Sequence, residues 1–247
     1  MATFVLVHGA NMGGWCWRLV SPALRAAGHG VYAPSLTGCG DRVHQLSPDV
    51  GLEEWILDLA NLLFYEDLDN VVLVGHSNGG AVVTGMADRM PARIAHLVYV
   101  DAWMMRDGES LWGLIPEATR DGMEKQLASM GETWKSPAPP LEGWLEIARS
   151  EGWSDVIARW AGQRCTAAPL KPVKDVLRLK GSEAFDKLPR TFIRCSRSPV
   201  PGSEAQAERA REGGWPVVDV DATHMAMFSA PRELAAVLIE IAAGYGL

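Results

Sequence analysis

Gly75, Ser77 and Gly79 fall in the run V-V-L-V-G-H-S-N-G-G over residues 71–80, a serine with a glycine two residues to either side, just past four apolar residues. That spacing suits a nucleophile elbow, a sharp strand-to-helix turn that strains the serine backbone and uses glycines to leave room for it. A serine hydroxyl attacks a carbonyl only when a base takes its proton. Of the six histidines, His8 lies in a glycine-rich loop, His29 in a turn, His44 in a surface loop, His76 directly before the serine and His96 at a helix-strand junction. His224 alone follows the last strand, where a loop at the carboxyl end of a sheet would overhang the elbow, so it is the expected base. The base needs a carboxylate to fix its tautomer, and behind an elbow serine that acid precedes the histidine in the chain. The stretch R-C-S-R-S-P-V-P over 194–201 holds no acid. Asp101, at the end of the strand after the elbow, is therefore assigned, with Glu204 in reserve. Two backbone N–H groups would receive the developing oxyanion, that of Asn78 after the serine and that of Ala10 after the first strand. The chemistry these residues suit is acyl transfer through a covalent acyl-enzyme.

Elements must hold these residues at one edge. Residues 3–7, 31–34, 71–75, 94–100, 191–195 and 215–220 read as short buried strands, and 15–27, 52–65, 81–90 and 231–243 as helices between and after them. Strands alternating with helices of that length require right-handed crossovers and a parallel sheet, with ligand chemistry at the carboxyl ends of the strands. From 102 to 188 the strand rhythm stops. That stretch carries six of the ten tryptophans and three prolines at 137, 139 and 140. It reads as a mostly helical cap insert on a core formed by 1–101 and 189–247, with at least half of its tryptophans serving as packing. The basic run over 171–180 reads as one solvated helix face.

Composition narrows the partners. A net charge of −7 without a dense basic stripe argues against nucleic acid and anionic membrane surfaces. The 48% hydrophobic and 21% charged residues describe an ordinary folded domain for a small-molecule substrate. No basic leader, no apolar run of about 18 residues and four scattered cysteines without a C-x-x-C pair lead to an expectation of a cytoplasmic protein with free thiols and no bound metal.

F-V-L-V-H-G-A-N-M-G-G-W-C-W over 4–17, L-V-G-H-S-N-G-G over 73–80 and D-A-T-H-M-A-M-F over 221–228 resemble the α/β-hydrolase superfamily. Within it they look like the plant methylesterase and hydroxynitrile lyase group and its bacterial esterase relatives. The resemblance implies a mostly parallel sheet with a helical cap, no metal, no organic cofactor, and hydrolysis of small hydrophobic or aromatic esters. That family usually carries its acid after the penultimate strand, where Ser198 stands here. Some superfamily members, haloalkane dehalogenases among them, use the earlier strand end instead, as the assignment of Asp101 requires. The lyases carry threonine where Gly9 stands and lysine where Met225 stands. An esterase is therefore the expectation, with lyase-like C–C cleavage or a ligand sensor of vestigial activity as the alternatives.

Overall fold

Alternation along the strands decides the architecture. In the computed structural model, which describes residues 1–246, Phe4 and Leu6 of β1 (Thr3–Val7) enter one core while Val5 and Val7 enter the other. The chain continues through α1 (Ser21–Ala26), β2 (Gly30–Tyr32), α2 (Leu52–Tyr65), β3 (Val71–His76), α3 (Gly79–Arg89) and β4 (Ile94–Val100). Val72 and Val74 on β3 and Val98 and Val100 on β4 join the Phe4 side; Val71, Leu73, Leu97 and Tyr99 join the other. Both faces of these strands are thus covered, as a parallel sheet requires.

After β4 come α4 (Leu111–Leu114), α5 (Glu117–Met130), β5 (Lys135–Ser136), α6 (Leu141–Glu151), α7 (Asp155–Gly162), β6 (Ala168–Pro169), α8 (Lys171–Lys174) and α9 (Glu183–Asp186). The sheet then resumes with β7 (Arg190–Cys195), α10 (Ser203–Glu212) and β8 (Val217–Val220), and the chain ends with α11 (Ala226–Ser229) and α12 (Pro231–Gly244). The main sheet has six strands, all parallel, in the order β2-β1-β3-β4-β7-β8, while β5 and β6 pair antiparallel as a separate ribbon. One parallel sheet flanked by helices is the α/β architecture that the sequence leads one to expect.

α2 shows how local signals place an element. Leu52, Trp55, Ile56, Leu59 and Leu63 repeat at helical spacing and are buried. Its free amino end is closed by Glu54, which accepts from the Gly51 N–H at 2.7 Å, and by Asp175, which accepts from the Leu52 N–H at 2.9 Å.

Two expectations need correction. The helix expected over 15–27 is a 3-10 turn, Gly14–Leu19, followed by α1, with Pro22 in the first turn of the second piece. The basic run over 171–180 is not one helix face. Only α8 is helical, and beyond it the chain runs beside residues 108–110, with the Leu177 N–H on the Glu109 carbonyl at 2.8 Å and the Gly108 N–H on the Leu177 carbonyl at 3.0 Å. Leu177 is buried by this pairing, which outweighs any local helical preference. The tryptophans follow the packing expectation: Trp103, Trp144 and Trp153 are buried, and Trp144, Trp153 and Trp160 cluster with Trp15 around Phe228. No helix among the described residues is long and apolar enough to cross a membrane.

Candidate active site

The turn between β3 and α3 carries Ser77 at φ +53, a left-handed backbone that a residue with a side chain adopts at a cost of about 1–2 kcal/mol. The neighbouring glycines make the turn possible. A Cβ on Gly75 would lie 2.8 Å from the Gly79 carbonyl oxygen, and one on Gly79 would lie 2.8 Å from the His8 carbonyl oxygen. The Ser77 N–H donates to the Val100 carbonyl at 3.3 Å, and the Trp103 N–H donates to the Ser77 carbonyl at 3.1 Å. The elbow is thereby tied to the segment that carries Asp101.

Asp101 follows β4 directly, at φ +44, with its side chain fully buried. His224 stands in the loop between β8 and α11. Its Nδ1 lies 2.6 Å from Asp101 Oδ2 and its Nε2 lies 3.1 Å from Ser77 Oγ. With Nδ1–H donating to the carboxylate, Nε2 is free to accept the serine proton. Burial by itself would push the Asp101 carboxyl up. The hydrogen bond and charge of His224, joined by the hydroxyls of Ser198 and Ser203, outweigh it and hold the group below the usual carboxylate range.

Asn78 follows the serine directly, and Ala10 stands in the loop after β1. The loop after β1 passes so close that a Cβ on Gly9 would lie 2.8 Å from Ser77 Cβ. Among the described residues no protein acceptor takes the N–H of Ala10 or of Asn78. Both residues line a cavity of about 200 Å³ whose other walls include Trp55, Trp103, Leu111 and Met123, and no ionised side chain lines it.

The reserve acid does not reach this centre. Glu204 is exposed, with Oε2 2.6 Å from Arg194 Nε and a second pairing to Arg211. Asp219 and Asp221 likewise pair outward with Arg194 and Arg197.

Three supporting contacts escape a sequence reading. His76 donates Nε2–H to the His224 carbonyl at 2.8 Å and packs its ring 4.7 Å from the His224 ring. Burial, with the neighbouring His224 adding to it, pushes the His76 imidazole down to about 3. His8 donates Nδ1–H to the Gly9 carbonyl at 2.8 Å and accepts the Leu36 N–H at 3.0 Å, so it is a neutral brace of the Ala10 loop, pushed down to about 4 by burial. Ser198 and Ser203 bond Asp101 from 97 and 102 residues away, a separation for which the sequence offers no signal. The paired glycines, read as leaving room for the serine, were the legible hint of crowding here.

Known proteins are similar to this chain over nearly its whole length. Residues 4–237 match the model of the alpha/beta hydrolase family. The chain is 36% identical over 237 residues to a carbendazim hydrolyzing esterase from Nocardioides sp. (strain SG-4G), covering 95% of this chain and 97% of that protein. It is 30% identical over 260 residues to methylesterase 3 of Arabidopsis thaliana, covering 98% and 96%. A methylesterase of solved structure from Arabidopsis superposes with a TM-score of 0.78 at 25% identity, covering 99% of this chain and all of that one.

Proposed function

Because the chain belongs to the α/β hydrolase family and is an esterase-type member of it, a carboxylic-ester hydrolase, we propose that Ser77, His224 and Asp101 are its catalytic triad, acting on small hydrophobic or aromatic esters. Ser77 Oγ attacks the ester carbonyl while its proton passes to His224 Nε2. Asp101 holds the ring and stabilises the imidazolium that forms. The N–H groups of Ala10 and Asn78 receive the negative oxygen of the tetrahedral intermediate. Collapse expels the alcohol, which takes the proton from His224 and leaves an acyl group on Ser77. Water then enters by the same route, losing a proton to His224, and the acid departs as Oγ is reprotonated.

The observation that carries this reading is the continuous relay from Asp101 through His224 to Ser77, at 2.6 and 3.1 Å, beside a cavity of about 200 Å³ without an ionised wall. A cavity of that size fits a compact, uncharged group. Residues 102–188 are read as a helical cap on a core of 1–101 and 189–247, because the cavity combines core residues such as Ala10 with Leu111 and Met123 from that stretch. Four free thiols fit the reducing cytoplasm. The test is steady-state hydrolysis of a panel of p-nitrophenyl esters, small methyl esters and carbendazim. Turnover of at least one of them is expected to vanish in Ser77→Ala with the thermal melt unchanged, and a Ser77→Ala protein as active as the parent would refute the assignment.

A further inference from the structure

We propose that Ser198 and Ser203 are positioning residues for the triad acid, two hydroxyls on one short turn that hold a carboxylate delivered from a different strand. The proposal rests on the triad reading above. Asp101 leaves β4, yet its side chain is gripped by Ser198 in the connection after β7 and by Ser203, the first residue of α10. Ser198 Oγ donates to Oδ2 at 2.6 Å, and Ser203 Oγ donates to Oδ1. Among the described residues the His224 ring is the remaining donor, and no peptide N–H reaches the carboxylate. A carboxylate offers about four lone-pair sites, and a buried one left short of donors is costly.

The turn is built to aim both hydroxyls. In S-P-V-P-G-S over 198–203, Pro199 and Pro201 fix their own φ, and Gly202 supplies the left-handed step at φ +92. The Ser198 N–H is held by the Cys195 carbonyl at 3.0 Å and the Ser203 N–H by the Val200 carbonyl at 3.1 Å. The Val200 N–H donates to Ser198 Oγ at 3.4 Å, which leaves the hydroxyl proton of Ser198 for Asp101. Glu204, the next residue, turns outward to Arg194.

The other ionisable groups around Asp101 are His76 on β3 and Cys195 on β7. Burial keeps the imidazole neutral and pushes the thiol up, so neither changes charge between pH 5 and pH 9. Arg194 and Arg197 are engaged by Glu204, Asp219 and Asp221 on the outer side.

The experiment is the pH profile of kcat/KM for p-nitrophenyl acetate. A carboxylate deprived of a hydroxyl donor keeps more of its charge for its remaining partner, so removing a hydroxyl shifts the acid limb of the profile. Ser198→Ala and Ser203→Ala are each expected to move the acid limb up by about one pH unit, a loss of about tenfold on that limb that fades as the pH rises. Ser198→Thr, which keeps the hydroxyl, is expected to return the limb to its original place. A loss equal at every pH, or an unmoved limb, overturns the proposal. If one alanine variant does not fold, the other decides alone. A fully active Asp101→Asn protein would instead remove the triad reading itself.

Discussion

At the scale of single residues, the elbow and the histidine were legible because each is announced locally. Ser77 carries its glycines within two positions, and His224 follows the last strand. The acid was reached by elimination along the chain, and its position after β4 is the one the geometry supports. The serines that hold it were invisible because their role exists only after β4 and β7 become neighbours. Asp101→Asn is expected to lower kcat by about 10⁴, because an amide neither fixes the productive tautomer nor stabilises the imidazolium. Glu204→Gln, which touches only exposed arginines, is expected to leave kcat within a small factor and stability within about 1 kcal/mol. Parallel kinetics on the two variants separate these acids, and a larger loss at 204 would reassign the role.

Among the elements, the six strands could be read because each is a short apolar run bounded by turn residues. The stretch between β4 and β7 resisted at the points where it is held by distant segments. Asn11 illustrates the cause. At φ +60 in the loop after β1, it donates Nδ2–H to the Pro137 carbonyl at 3.1 Å and to the Thr166 carbonyl at 2.9 Å, fastening two parts of that stretch to the loop that carries Ala10. Phe228 fastens the other side. It is 2% exposed, four residues beyond His224, with its ring 5.5 Å from Trp153. Phe228→Ala is expected to cost about 3–5 kcal/mol, since the surrounding indoles cannot collapse into the space. For a chain of this length that lowers the thermal midpoint by on the order of 10 °C, which calorimetry reads directly. An unchanged midpoint would mean that the ring is not packed as described.

For the whole molecule, acidity is the condition to which the fold is most exposed. His8, His76 and His96 are held neutral in the folded state, pushed down to about 4, about 3 and about 4 by burial, whereas an unfolded histidine titrates near 6.5. Between those values the unfolded chain binds more protons, so their contribution is whole above pH 6.5 and shrinks as the pH falls. Each such histidine removes up to about 1.4 kcal/mol of stability per pH unit in that window. Asp101, held below its ordinary value, loses its contribution in the same direction at still lower pH. Melting temperatures are expected to fall steadily from pH 7 to pH 5, and a flat profile would contradict the burial of these rings. The seam around Phe228 has an optical meaning as well. Trp15, Trp144, Trp153 and Trp160, four of the ten indoles in the chain, surround one ring where helices α6 and α7 meet the histidine loop. Any parting of that seam admits water to four fluorophores at once, so the protein carries its own gauge of movement there and needs no attached dye to report it.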